Sequence, residues 1–411
     1  MHEQNIYKQA AKLLALTVLA IGLCNVTVGY FTPVIAVIGV FCAVANQLGW
    51  ALVIFVLMPF FMILNPVVLP KENIVVAYSL RFAPLLIGMI LAIRGASRQG
   101  HHRLPFFWIV PFLLAAVVSS IDGWAPSISF MKLINFAMFL CGIWFGTQNL
   151  QYRPKDVFLL RSFFLALAAL LVFGSIAVMP FPSIAYATSL RYALAEGGTE
   201  LANELFAELQ ADQVRTLFCG ITNHSQALAP LLVCSLIWTL CDMLFVERQF
   251  RWGHCLILGF SLPLIYLTRS RVALVSLVFS VCVVMYYAAR KIQLPILVRR
   301  HLFHGMFIAS VGIILLAVAS QISSGAMSGW IRKTSDVAAD RRTLREALTE
   351  SRKGLMEYSL YEFRRSPLIG SGFQVAEYTQ DMLQGRKGIV LSASVEKGVL
   401  PVMILGETGI L

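Results

Sequence analysis

Charge is scarce in this sequence. Only 13% of its 411 residues are Asp, Glu, Lys or Arg, about half the share of an ordinary soluble domain. With 58% hydrophobic residues and a mean hydropathy of +0.76, a soluble globular domain is excluded. Metal-binding cysteine patterns are missing too. The eight cysteines lie in or beside apolar runs, with no CxxC and no metal-ligand spacing, and read as small packing residues. No small-residue cleavage site follows the first apolar run, so that run is a retained span rather than a signal peptide, although Lys8 and Lys12 precede it. No internal repeat, low-complexity tract or linker divides the chain.

What the sequence has instead is apolar windows about 20 residues wide, the length that crosses a bilayer. Eleven spans are expected: 11–28, 30–46, 48–69, 74–93, 105–121, 130–147, 157–180, 221–246, 253–268, 271–289 and 302–321. A further run from Val399 to Leu411 is too short to span, which predicts that the natural protein continues. The expected fold class is all-α, a polytopic transmembrane bundle of about twelve spans with two periplasmic loops. Residues 1–180 hold spans 1–7 and 181–220 form the first periplasmic loop; 221–321 hold spans 8–11. Residues 322–398 form the large, partly helical periplasmic loop, and 399–411 start the next span.

Short basic loops set the orientation. With the N-terminus in the cytoplasm, the loops 94–103, 148–156, 247–252 and 290–300 fall inside and carry Arg94, Arg98, Arg103, Arg153, Lys155, Arg248, Arg251, Arg290, Lys291, Arg299 and Arg300. The formal charge of +12 then needs no nucleic acid as partner. A collar of basic residues facing anionic membrane lipid accounts for much of it.

Two long segments lie outside. In 322–398, Leu344, Leu348, Leu355 and Met356, with Tyr358 and Tyr361 nearby, form an apolar stripe opposite Arg and Glu, as on an amphipathic helix packed against the spans or the membrane surface. Pro367 ends it, and Gly370-Ser371-Gly372 supplies a tight turn. In 181–220, Glu196, Glu200, Glu204, Glu208 and Asp212 recur every four residues. They read as a solvated acidic face rather than a metal site.

Arginine in a membrane needs a reason, because it keeps its charge. Arg81 lies about two turns into the fourth span. Arg215 precedes the eighth, in "RTLFCGITNHSQALAP", and Arg269 and Arg271 mark the break between the ninth and tenth. Each has a plain structural use: Arg81 can snorkel, Arg215 can pair with Asp212, and Arg269 and Arg271 can anchor at the interface. All four nevertheless map to the outer side, and several permanent cations there suit a lipid-linked diphosphate, which arginine clamps bidentately.

Four stretches occur in order: "RTLFCGITNHSQALA", "LTRSRVALVSLV", "EFRRSPLIGSGF" and "LPVMILGETGIL". Together they resemble the bacterial O-antigen ligase and polymerase superfamily over about residues 210–411, half of the chain. The resemblance implies a metal-independent glycosyltransferase without a cofactor, in the bacterial inner membrane, with its site facing the periplasm. It would move a glycan from an undecaprenyl-diphosphate-linked donor onto a glycan, lipid or protein acceptor. Arg215 and Arg271 are the positions carried over, joined by a loop arginine among Arg341, Arg342, Arg345, Arg364 and Arg365. Where the ligases carry a His-Asn pair, this chain has Glu396, Lys397 and Gly398 and no histidine in the loop, so polymerase and ligase both stay open.

The transfer needs a proton acceptor and a stabilised leaving group. Glu396 is the first candidate base, with an ion pair to Lys397 as its plain alternative. His224 is the second, with helix capping beside Asn223 as its plain alternative. Glu407, inside an apolar run, reads as a structural pairing at a span entrance. A transporter or flippase of a lipid-linked or anionic solute is the other function class. It predicts Gly/Pro-interrupted spans in matching halves and ionisable groups at mid-membrane. The sidedness is tested by thiol labelling: in a variant freed of native cysteines, Thr349→Cys is expected to react with an impermeant reagent while the inner membrane is intact. Reaction only after permeabilisation overturns the orientation.

Overall fold

The computed structural model describes residues 5–71, 73–96, 110–121, 126–148, 150, 153–187, 217–247, 252–268, 270–291, 357, 359–368 and 370–372. These are almost wholly helical. The helices are α1 (Asn5–Val26), α2 (Thr32–Val44), α3 (Leu48–Ile63), α4 (Ile74–Ala96), α5 (Val110–Ile121), α6 (Pro126–Gln148), α7 (Pro154–Ala177) and the single turn α8 (Pro182–Ala185). Then follow α9 (Ser225–Cys241), which continues as a π-helical turn (Asp242–Glu247), α10 (Trp252–Leu267) and α11 (Arg271–Lys291). Proline opens α6, α7 and α8, where its missing N–H leaves no intrahelical bond unmade.

Among the described residues, five helices are long and apolar enough to cross a membrane: Ile6–Val26, Ile74–Arg94, Pro126–Trp144, Pro154–Ala177 and Ser225–Val246. The apolar helices Thr32–Val44, Leu48–Ile63, Pro111–Ile121, Trp252–Leu267 and Ala273–Ala288 are shorter. At about 1.5 Å per residue these fall short of the ~30 Å hydrocarbon core. By length and composition the five longer helices are candidate crossings among the described residues; the expected window 302–321 lies outside them. Large apolar side chains face outward, Phe41 and Phe279 being 69% exposed, as lipid contact requires and water does not favour.

The chain divides into two compact units, one of Met1–Gly39, Leu52–Ala83 and Pro154–Arg341, the other of Val40–Ala51, Pro84–Arg153 and Arg342–Leu411. In the first unit α7 is central. It is buried nearly all round and packs against α1, α9 and α10. On α1 the buried residues Ile6, Ala10, Leu13, Thr17 and Cys24 recur at helical spacing. Small residues among them let the helix approach its neighbour closely, the usual means of helix association in lipid.

Helix direction in this unit follows from contacts at its two ends. Tyr7, Arg161, Asp242 and His254 meet at one end. Asn25, Asn65, Ser175 and Ile221 are tied together at the other. So α1 and α7 run one way and α9 the other, and α10 starts beside the end of α9. The 17 residues of α9 separate the two ends by about 25 Å.

The second unit contains the α5–α6 hairpin, where Phe112, Leu113 and Phe136 pack against buried Ala116 and Leu133. Asn46, between α2 and α3, has φ 62° and accepts from the Arg153 guanidinium on its carbonyl at 3.0 Å and on Oδ1 at 3.2 Å. Residues 359–365 are helical and stop before Pro367, where helix termination is expected.

One prohibited side chain tests the first unit. Gly220 has φ 55°, and a Cβ there would collide with Ser175. Gly220→Ala is expected to lower stability by about 1–3 kcal/mol, read as a drop in thermal unfolding of the detergent-solubilised protein. Gly22, with nothing within 4 Å of an added Cβ, serves as the control; Gly22→Ala should be neutral or stabilising.

Candidate functional site

At one end of the first unit, three chain segments are joined, largely through backbone groups. The strands β1 (Tyr186–Ala187) and β2 (Leu217–Phe218) form a two-residue antiparallel ladder that closes the ends of the long intervening segment. The Ala185 carbonyl accepts from the N–H groups of Cys219 and Gly220, at 2.7 and 3.1 Å. The Asn223 N–H donates to the Ile63 carbonyl at 2.8 Å, and the Asn65 N–H to that of Ile221 at 2.9 Å. Asn65 is fully buried and holds this junction. Its Nδ2 donates to the Ile184 carbonyl at 2.8 Å, and its Oδ1 accepts from the Val67 N–H at 3.0 Å.

Lys71 closes the end of α3, donating from Nζ to the carbonyls of Met62 and Leu64 at 2.5 and 2.6 Å. A cation suits a helix C-terminus, but partial burial still pulls its pKa from 10.5 down to about 8. Between about pH 8 and 10.5 the unfolded chain then binds more protons, so this group makes stability rise with pH through that window.

His224 is the N-cap of α9, with φ −152° and ψ 143°. Its Nδ1 accepts from the Gln226 N–H at 3.0 Å. The neutral ring thus carries its proton on Nε2, and taking a second proton on Nδ1 means giving up the cap. Asn223 beside it is exposed. Arg271 is the first residue of α11, and the direction of α10 returns that start to the same end as His224. Arg81 is half-buried in α4, about 10 Å along the helix from Ile74. Arg364 and Arg365 belong to the second unit and are exposed. Arg215, Arg269 and Glu396 lie outside the described residues, as do the side chain of Arg271 and the acidic ladder 196–212.

The opposite end holds a group that residue-by-residue reading of the sequence missed. Asp242, 4% exposed, takes two hydrogen bonds from Arg161: Nε to Oδ1 at 2.5 Å and Nη2 to Oδ2 at 3.0 Å. His254, fully buried, sets Nε2 2.9 Å from Asp242 Oδ2 and Nδ1 2.5 Å from the Tyr7 hydroxyl. With the hydroxyl donating to Nδ1 and Nε2–H donating to the carboxylate, a neutral ring satisfies both partners. Gly253 makes the room, since a Cβ there would lie 2.6 Å from the Tyr7 ring. The signal was present: Arg161, Asp242 and His254 all fall inside expected spans, where an ionisable residue calls for a partner. Charged residues therefore do not gather only at the Arg81 and Arg271 end.

Arg161→Met strands the buried carboxylate and is expected to cost about 3–5 kcal/mol. Tyr7→Phe removes one neutral partner of His254 and should cost about 1–3 kcal/mol. Thermal unfolding of the two variants side by side measures this; equal losses would mean that Asp242 carries no charge there.

Compared with protein-family models, curated proteins and solved structures, the chain matches none.

Proposed function

We propose that this chain is a membrane glycosyltransferase that moves a glycan from undecaprenyl diphosphate to an acceptor hydroxyl at the periplasmic face of the bacterial inner membrane. The observation that carries the reading is the shared position of two resembling segments. The 217–224 turn, which leads from the Arg215 stretch into α9, and the first residue of α11 sit at one end of the first unit, although some 50 residues separate them. Arg81 enters α4 from that same end, since Asn73, just before α4, bonds to Tyr30 beyond the end of α1. In this reading that end is the periplasmic one and the Asp242 end is cytoplasmic. Within the second unit, supporting contacts join residues that the expected crossings put near one side: Asn46 with Arg153 inside, and Ser119, near the end of α5, with Gly372 outside.

The chemistry is a displacement at the anomeric carbon. The acceptor oxygen forms the new glycosidic bond, the bond from the anomeric carbon to the diphosphate oxygen breaks, and the acceptor proton passes to a base. Arg215 and Arg271, with Arg269 and Arg81, would hold the departing diphosphate. Arginine does this bidentately and needs no metal. Glu396 is the preferred base, because His224 already spends its accepting nitrogen on the helix cap.

Glu396→Gln keeps the shape and loses the basicity. It is expected to slow transfer by about 10²–10⁴-fold in membranes supplied with an undecaprenyl-diphosphate glycan, with donor binding retained. If His224→Gln gives that pattern and Glu396→Gln is silent, the roles reverse. Normal turnover in both removes both bases and leaves the arginines as the whole apparatus.

A further inference from the structure

One permanent cation of the first unit has no partner among the described residues. Arg81 lies about 10 Å along α4 from Ile74, inside the candidate span Ile74–Arg94, and is half-buried. Among the described residues it makes no hydrogen bond and no ion pair, and it interacts electrostatically with the Tyr78 side chain alone. An arginine in a span keeps its charge and is expensive unless paired. Asp242 meets that need for Arg161 with two hydrogen bonds. Nothing described in the chain meets it for Arg81.

Its place on the helix says where a partner can come from. Ile74, Phe82, Leu86, Met89 and Ile93 form one exposed stripe on α4, with half-buried Tyr78 in line, while Val76, Leu80, Ala83, Ile87 and Leu91 are buried on the opposite face. Arg81 stands at the edge of the exposed stripe, three residues after Tyr78. Helical side chains lean toward the helix N-terminus, which carries the guanidinium back toward Tyr78 and the Ile74 end. The Tyr78 ring is set against Phe82, with centroids 5.7 Å apart. A cation and a phenol hydroxyl thus head a continuous apolar track. From Phe82 to Ile93 that track runs about 17 Å, close to half of the ~30 Å hydrocarbon core. It matches the depth of one lipid leaflet.

A lipid phosphate complements this arrangement. The guanidinium offers parallel N–H donors to two phosphate oxygens, and the Tyr78 hydroxyl can add a third donor. From Ile74 to Ile93 the helix has no acidic residue to receive an ammonium headgroup, so its charge favours an anionic lipid over a zwitterionic one. We propose that Arg81 and Tyr78 bind the phosphate of an anionic glycerophospholipid such as phosphatidylglycerol, whose acyl chains lie along the Phe82–Ile93 face of α4. The binding does not rest on the transferase reading, and it holds whichever leaflet this end of α4 meets. Where that reading also holds, this lipid is the resident that a diphosphate donor displaces from Arg81.

The test is native mass spectrometry of the full chain, with dioleoyl-phosphatidylglycerol, dioleoyl-phosphatidylcholine and undecaprenyl phosphate as probes. Wild type is expected to bind phosphatidylglycerol about 5–10-fold more tightly than phosphatidylcholine. Arg81→Gln should weaken phosphatidylglycerol binding about 10–100-fold and remove the preference. Tyr78→Phe should weaken it about 3–10-fold. Arg81→Lys, which keeps the charge and loses the paired donors, should fall between wild type and Arg81→Gln. In lipid-free detergent Arg81→Gln should melt no lower than wild type, because it deletes a cation that the described chain leaves unpaired. A structural arginine would behave oppositely, with a lower melting temperature and unaltered lipid binding, and that result overturns the proposal. Equal binding of the two phospholipids by wild type does so too. Undecaprenyl phosphate that binds more tightly than phosphatidylglycerol, and is lost in Arg81→Gln, gives the anchor to the donor and ends the resident phospholipid. Should Arg81→Gln fail to fold, Tyr78→Phe decides, and unaltered binding there overturns the proposal.

Discussion

Asp242 is a carboxylate inside a bundle of apolar helices, and the packing of the first unit depends on keeping it there. An unpaired charge in such surroundings is costly, so its partners must come from whatever helices surround it. They come from three: Arg161 of α7, His254 of α10 and, through His254, Tyr7 of α1. Lipid offers little hydrophobic drive for helices to associate, since tails are as apolar as leucine. A bidentate ion pair with a histidine and a tyrosine behind it supplies directionality that apolar side chains cannot. The π-helical turn at Asp242 contributes to the same end. A turn of i→i+5 bonds widens the helix locally and re-aims the side chains that follow.

The other end of the unit solves a different problem. Irregular backbone near a membrane must find its hydrogen bonds within the protein. Asn65 does so for three segments at once, and the bonds between 63–65 and 221–223 leave the turn before α9 little freedom. A ligand site at this end would begin preorganised, because His224 and Asn223 are presented by a fixed frame. The two ends thus divide the work: side-chain charge locks one, and backbone pairing shapes the other.

How much of this was legible in the sequence differs by element. Long apolar windows between proline and polar breaks marked the helices, and the prolines at 126, 154 and 182 stand where helices begin. The lengths of the individual helices were not legible, because a 13-residue helix such as α2 and a 23-residue helix such as α4 look alike in a hydropathy window. Arg161, Asp242 and His254 escaped because each lies near the end of its window, where a charge reads as an anchor. Their pairing spans 81 residues in one case, and no local pattern announces it.

Lys71 shows why the proposed diphosphate site would be built from arginine. Its ammonium is half-buried, held by two carbonyls at a helix end, and still its pKa falls to about 8. A lysine moved only slightly further from water would spend much of its time neutral near physiological pH, and a neutral amine stabilises no leaving diphosphate. Arginine starts with a far higher pKa and keeps its charge through the same loss of water. It also offers parallel N–H donors to two phosphate oxygens, where an ammonium offers a point charge. At the end of the bundle where Lys71 sits, the transfer proposed above would therefore call for arginine rather than lysine. Arg81 and Arg271 enter their helices from that end, and they are of the residue type that the proposed diphosphate site would need.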